Sequence, residues 1–593
     1  MPWWLRRVVD FINWLAAQVS GRKYRTLARH IGREPDIPTR TQAQRSFVAV
    51  QIDGLAYDDL LRAMALGYTP TLQRLLAQGY RLHRWRCGVP SSTPAVQAGI
   101  MYGTNWDIPA FRWYEKEEGL ALTCRFPPHV MRVKVRVANG RRGLLEGGSS
   151  YANLLDGDAR LALFTLSAMG RHRFFEHLRG LGWLLLFLLI PWRIARVIGL
   201  ALWELLRDLG RTIALWVRSG FRRQLRLVKP VLLVLMNVIF SELQTFSVLL
   251  DIYRGVPAIY VSFYGYDEAA HEEGPLSREA LRALKRIDSC VRQIDRVRRT
   301  YRPDMDLYVF SDHGMTPTDT FQKRCGRTLA AFVASYVRDS VVWDEGQDGL
   351  RWRMREANFL LDELDGIQPR LSPRGQRLLQ ALRQWVEKRT PAEEDDTWDL
   401  ARSSDVVVRS SGNLAHIYFN VTRQRMEISE LSLIYPGLLQ ALLREPAIGL
   451  VLGLEGGLPA ILTPSGPVPL SAERLPAGLS DPARTAADLA RLISFPHSGD
   501  LVLLGAWDGH RRVVSFEEQM AGHGGTGGAQ DYPFFLTPPD VPLDLSGVTN
   551  AEQLYPYFMA RYRGMQAVNE ESGAHDKEKL IREEVATHAT HSL

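Results

Sequence analysis

The chain is poor in cysteine: four in 593 residues (Cys87, Cys124, Cys290 and Cys325), with no CxxC and no paired spacing. So sparse a set excludes a disulfide framework and cysteine-built zinc modules, and it points to a reducing compartment. Also missing is an unbroken apolar run of the roughly 20 residues that a bilayer-spanning helix needs. The nearest approach, Leu181 to Trp192, is shorter, and Arg193 and Arg196 follow it at once. An acidic balance is absent too. The formal net charge is +8, which favours anionic partners: nucleotides, phospholipids or a membrane surface.

What is present begins with apolar content, 46% of the residues, enough over this length to bury a large core. Leu307-Tyr308-Val309-Phe310 reads as a buried strand that stops at Ser311-Asp312-His313-Gly314. In open α/β sheets, ligands bind where strands end at their carboxyl edge. A carboxylate and an imidazole side by side there offer oxygen and nitrogen to one divalent cation. Asp-His pairs also serve as plain turn residues, so partners elsewhere decide.

Those partners occur in order along the chain. Phe47 to Ile52 is a second apolar strand, ending at Asp53-Gly54. Pro90-Ser91-Ser92-Thr93 places hydroxyls in a turn ahead of a small-residue helix, Ala95 to Met101. Ala258 to Phe263 is a third strand, followed by Asp267 and His271, whose i, i+4 spacing puts both on one helical face. His523 sits in Gly522-His523-Gly524-Gly525-Thr526-Gly527-Gly528, a backbone too flexible for a packing role.

This ordered set resembles the alkaline phosphatase superfamily, most closely its type I phosphodiesterase/nucleotide pyrophosphatase branch. Thr69-Pro70-Thr71-Leu72-Gln73-Arg74-Leu75 is similar to the branch's TPNLxxL helix start. The resemblance implies an alkaline-phosphatase-like α/β/α sandwich with a mostly parallel central sheet. It implies that Asp53, Asp312, His313 and Thr93 hold one metal, that Asp267, His271 and His523 hold another, and that Thr93 is the nucleophile. Ser91 and Ser92 are the alternative hydroxyls, but the register relative to Pro90 favours Thr93. The cofactors implied are two divalent ions, zinc by its preference for mixed carboxylate–imidazole sets, with manganese as the alternative. The Cys/Ser-x-Pro-x-Arg motif of the related sulfatases is absent at Thr93-Pro94-Ala95-Val96.

One departure concerns substrate binding. Many phosphodiesterases of this kind place an asparagine shortly after the nucleophile helix, and Ile108 to Tyr114 contains none. Asn105 lies early. Arg112 stands as a substitute phosphate clamp, since a guanidinium suits phosphate geometry; a plain surface arginine is the other reading.

Composition divides the chain further. Residues 1–42 form an amphipathic N-terminal segment, with Trp4, Leu5, Val8, Phe11, Ile12 and Leu15 on one stripe. That stripe suits either the bilayer interface or the protein's own core. Asp10 and Asn13 interrupt it, which argues against a signal peptide. Catalytic core is expected at 43–177, 251–345 and 499–565, with Leu501 to Leu504 returning to the central sheet. Residues 178–250 are an apolar, arginine-rich helical insertion suited to a membrane interface, a self-packed cap or a short transmembrane pair. Residues 346–498 are a helical and α+β cap, in which Val406-Val407-Val408 and Leu414 to Phe419 are strands around Gly412-Asn413. His416 in the second of these reads as structural. Residues 566–593 are a charged tail.

The expected function is a metal-dependent phosphoric ester hydrolase, a phosphodiesterase or phosphatase, working through a phosphothreonine on a nucleotide or lipid-linked substrate. An anionic membrane surface, at the cytoplasmic face, is the expected partner, and specific nucleic-acid binding is not expected. A catalytically silent membrane-associated scaffold on the same fold and a phospho-headgroup transferase are the alternatives.

Overall fold

The computed structural model describes residues 45–169, 240–337, 342–344 and 404–564, with isolated helical positions between 198 and 213 and between 373 and 384. Its central sheet has seven strands in the order Arg81–Arg84, Phe534–Thr537, Met305–Phe310, Ser46–Ile52, Ala258–Phe263, Ser149–Tyr151, Leu161–Leu163. The five from Met305–Phe310 onward are mutually parallel, and Phe534–Thr537 runs antiparallel beside them. The fold class expected from the sequence, a mixed α/β architecture with a largely parallel central sheet, is the one observed.

Period-two alternation makes the sandwich. Val48, Val50 and Ile52 face one apolar cluster with Val261 and Val309, covered by helices Tyr57–Ala65, Pro70–Ala77, Ser241–Arg254 and Arg278–Tyr301. Phe47 and Ala49 face the other with Tyr260, Tyr308 and Phe310, covered by helices Thr93–Tyr102, Pro127–Ala138 and Leu554–Arg563. Strands buried on both faces read as nearly continuous apolar runs, which is why these three stood out in the sequence.

A second seven-stranded sheet, mostly antiparallel, lies beyond. Its order is Val342–Asp344, Val406–Ser411, Leu414–Phe419, Leu501–Gly505, Ile448–Glu455, Leu458–Thr463, Gly466–Pro469. Two sequence expectations need correction here. Leu501–Gly505 does not return to the central sheet; it pairs with Leu414–Phe419 and Ile448–Glu455 at the middle of the second one. The strand that returns is Phe534–Thr537. The block assigned to 178–250 also overruns, because helix Ser241–Arg254 is buried against the central sheet.

The whole N-terminal segment, most of 178–250, most of 346–403 and the tail lie outside the described residues, and so do the expectations attached to them. Among the described residues, no helix is long and apolar enough to cross a membrane. All four cysteines are unpaired, three of them buried.

Candidate active site

Three parallel strands deliver their carboxyl ends to one place. Ser46–Ile52 runs into Asp53, Met305–Phe310 into Asp312 and His313, and Ala258–Phe263 into helix Gly265–Glu273, which carries Asp267 and His271. Gly54 makes the first delivery possible. Its φ is +74°, and a Cβ there would lie 2.5 Å from Asp267 Oδ1, so only glycine lets the two segments close. The Gly54 N–H donates to Asp312 Oδ1 at 3.4 Å, and the Leu55 N–H to Ser311 Oγ at 2.9 Å, tying the two strand ends together.

His523 arrives from the other side. Strand Ala521–Gly522 pairs with Thr316–Thr320, which directly follows His313, and the glycine-rich loop then folds over the strand ends. The second sheet braces it. Asn413 Nδ2 donates to Thr526 O at 2.9 Å, and Asn413 Oδ1 accepts from the Gly525 N–H at 3.0 Å. Gly412, at φ +66°, packs so closely that a Cβ would lie 1.9 Å from His523 O.

Two trios of ligand-type side chains result: Asp53, Asp312 and His313, fully buried, and Asp267, His271 and His523, half-buried. Within each, the donor atoms lie within 4.8 Å of one another. The trios adjoin, with the rings of His313 and His523 stacked at 3.7 Å between centroids. His271 Nδ1 lies 2.8 Å from Ala521 O, His523 Nδ1 2.9 Å from Ser91 O and His313 Nδ1 3.0 Å from Gly314 O. A ring nitrogen facing a carbonyl carries the proton, so each Nε2 keeps its lone pair for the centre.

Electrostatics show what the cluster wants. Burial, with Asp312 and Asp267 nearby, holds the Asp53 carboxyl well above the usual carboxylate range. Burial and Asp267 raise Asp312 to about 7. At Asp267, burial is outweighed by the adjacent His271, and its carboxyl falls below the usual range. Burial lowers His313 to about 4 and, with His313 beside it, His523 to about 3. His271, by contrast, is raised by Asp267 against the pull of burial; the neutral imidazoles of His313 and His523 and the crowded carboxylates fit a positive guest. Asp53 Oδ1, Asp312 Oδ2 and Asp267 Oδ1 are buried with no hydrogen-bond partner, which is costly unless a cation satisfies them. Oxygen and imidazole nitrogen in this proportion suit divalent ions of the zinc or manganese type.

Thr93 is the first residue of helix Thr93–Tyr102, every residue of which is buried. Its Oγ1 lies 3.3 Å from His313 Nε2. Ser91 is committed elsewhere, donating to Gly525 O at 3.2 Å and accepting from the Gly524 N–H at 3.0 Å. Ser92 Oγ is buried without a hydrogen-bond partner. A cavity of about 220 Å³ opens over Asp53, Thr93, Asp267, His271 and His523.

Of the two substrate-binding candidates, Arg112 lines this cavity, ion-paired with Glu517 and donating to Ser410 O at 3.0 Å. Asn105 is not among the lining residues; it is buried behind, donating to Asn550 Oδ1 at 2.8 Å. His416 is no part of the site. It accepts from the Gly499 N–H and faces Pro109 O. Sequence reasoning missed Asn413, Glu517 and Arg125 at or behind the cavity, since each needs the second sheet or a distant loop to place it.

Residues 242–401 match the model of the type I phosphodiesterase/nucleotide pyrophosphatase family. That segment includes Asp267, His271, Asp312 and His313. Comparison with curated proteins found no match. Among solved structures, phosphonoacetate hydrolase from Sinorhizobium meliloti 1021, in complex with phosphonoformate, is similar at 15% identity. The match covers 88% of this chain and 96% of that one, with a TM-score of 0.42. An inactive murine ectonucleotide pyrophosphatase/phosphodiesterase 5 in complex with AMP is similar at 11% identity, over 88% and 96% of the chains, with a TM-score of 0.43.

Proposed function

We propose that the chain hydrolyses phosphoric esters, with Thr93 as nucleophile. The observation that carries this reading is the Thr93 hydroxyl, set at the start of a buried helix and 3.3 Å from His313 Nε2. Asp53, Asp312, His313 and Thr93 would hold one divalent ion, and Asp267, His271 and His523 the other. Two such ions, when bound, supply positive charge to the attacking and leaving oxygens of an in-line displacement.

The chain's own groups do the rest. Helix Thr93–Tyr102 fixes Oγ1 in position, and its N-terminal partial charge favours the negative oxygens of a phosphoryl group. Thr93 Oγ forms a bond to phosphorus as the bond to the alcohol oxygen breaks, and the departing alkoxide takes up a proton. Water then cleaves the phosphothreonine, and Thr93 recovers its proton. Arg112, held by Glu517, orients a phosphate oxygen. The substrate is a nucleotide or a lipid-linked ester, and segments 1–42 and 178–239 hold the protein to the anionic cytoplasmic leaflet of a membrane.

The test is elemental analysis of purified protein together with assay on bis(p-nitrophenyl) phosphate. Two zinc or manganese ions per chain and metal-dependent release of nitrophenolate are expected. A metal-free protein that stays inert after zinc or manganese is added would leave the scaffold alternative standing.

A further inference from the structure

The cavity has two unlike kinds of lining. Thr93, Asp53 and the half-buried trio make up one. The other is apolar: Phe111, Leu154, Phe164, Leu166, Met169 and Phe240. The rings of Phe164 and Phe240 pack at 4.7 Å between centroids and 52° between planes. The backbone of Phe164 has a φ of +56° and that of Ala152, also on the wall, +52°. Bulky side chains seldom adopt this left-handed conformation, and such outliers persist where the surrounding structure over-determines them, often at ligand clamps. The Ala152 N–H donates at 3.0 Å to the carbonyl of Leu163, the residue before Phe164, which ties the two unusual positions together. A free-energy cost is therefore borne to place a phenyl ring on the cavity wall.

The wall's chemistry selects among guests. A nucleobase needs donors and acceptors along its edge; the six apolar side chains offer none, and such groups on this cavity belong to Asn153, Ser241, Gln244 and Tyr264 instead. Leucine and methionine beside a pair of phenyl rings suit a flexible hydrocarbon chain, methionine adapting to irregular shape. Arg112 and Arg125 also line the cavity, the latter with its guanidinium 5.6 Å from the Phe111 ring, so cationic groups adjoin the apolar wall. Metal-ligating side chains, arginines and hydrocarbon on one cavity match the mixed polarity of an amphiphile. Met169 and Phe240 are also the residues between which segment 170–239, with its apolar run Leu181 to Trp192, leaves and rejoins the described fold.

Resting on the hydrolase reading above, we infer that the substrate is an amphiphilic phosphodiester, one of whose ester groups is a hydrocarbon chain lying along the Phe164–Phe240 wall. Two measurements on the full-length, zinc-loaded protein test this. The first is kcat/KM on p-nitrophenyl phosphodiesters bearing methyl, hexyl and dodecyl groups, and on the p-nitrophenyl ester of thymidine 5′-monophosphate, all below micelle-forming concentrations. The second is calorimetric binding of methyl- and dodecylphosphonate. Burying each methylene is expected to add about fourfold to kcat/KM until the wall is filled, and the thymidylate ester should gain nothing over the methyl ester. Phe164→Gly, which suits the left-handed backbone, should lower the dodecyl-to-methyl ratio at least about tenfold in both measurements.

Hydrolysis without chain-length dependence, or a preference for the thymidylate ester, overturns the inference and leaves the hydrolase reading in place. Chain-dependent binding with no hydrolysis of any ester overturns the hydrolase reading and leaves the wall's assignment in place.

Discussion

Asp53, Asp312 and His313 come from the ends of two neighbouring, hydrogen-bonded strands, and their side chains are 3%, 0% and 0% exposed. Asp267 and His271 come from a helix, at 16% and 19%, and their third partner comes from a glycine-rich loop that two sheets must hold. The donor chemistry is the same in the two trios; the support is not. Strand ends in a parallel sheet are positioned by the sheet itself, so the deep trio inherits its geometry from the core. The outer trio depends on Gly412, Asn413 and Ser91, none of which belongs to it. A rigid group suits a nucleophile whose geometry must not vary, and a half-open one suits the entry of water and the exit of product.

Variants separate the trios from the chemistry they frame. Thr93→Ala should lower turnover about a thousandfold or more while both ions stay bound, because loss of a nucleophile removes the reaction path and one hydroxyl is a minor ligand. Elemental analysis alongside single-turnover kinetics checks this; full activity in Thr93→Ala with a dead Ser92→Ala moves the nucleophile by one residue. Next in size, Asp312→Ala should leave one ion per chain, held by the outer trio, and His523→Ala should leave one held by the deep trio. If either variant keeps two tightly bound ions, the trios are not independent sites.

The support itself is the target of Gly412→Ala. Its new Cβ meets the His523 carbonyl in a backbone conformation that disfavours side chains, and an outer-shell displacement of this kind costs about ten- to a hundredfold in metal affinity or activity. Metal titration should show the loss at one site only, and equal weakening of both would erase the contrast between them.

The smallest effect lies away from both trios. Burial lowers His416 to about 3 in the folded chain, against about 6.5 when unfolded. Below pH 6.5 the unfolded chain therefore takes up a proton that the fold refuses, and stability falls as pH drops toward 3. Between pH 7 and pH 5 this group alone should remove about 2 kcal/mol. Urea unfolding of His416→Gln should show a lower midpoint at pH 7 and a shallower loss on acidification. A parallel pH dependence in the two proteins would deny His416 that part.

How much of this was legible in the sequence follows the same division. The deep trio was readable because each of its members follows an apolar strand at once or within a few residues. Asp267 and His271 were readable from their helical spacing, and His523 from the resemblance and its glycine-rich setting, although those glycines prove to be closely packed rather than loose. What stayed hidden was which sheet a strand joins. Leu501 to Leu504 is as apolar as Phe47 to Ile52, and composition cannot tell the middle of one sheet from the middle of another. Phe534–Thr537 is short and flanked by Pro533 and Pro538, which read as a break. Helix Ser241–Arg254 merged with the apolar block before it because both are rich in leucine and phenylalanine. Asn105 was weighed for its residue type, and only the fold shows its amide spent on Asn550.

The bond from His523 Nδ1 to the Ser91 carbonyl joins residues 432 positions apart. At synthesis rates of about 5–20 residues per second, Ser91 has left the ribosome's peptidyl-transferase centre roughly 20–90 seconds before His523 is made. Throughout that interval the nascent chain holds Thr93 with no His523 beside it. On the function proposed above, hydrolytic competence would wait until the second sheet has been synthesised and has closed over the strand ends.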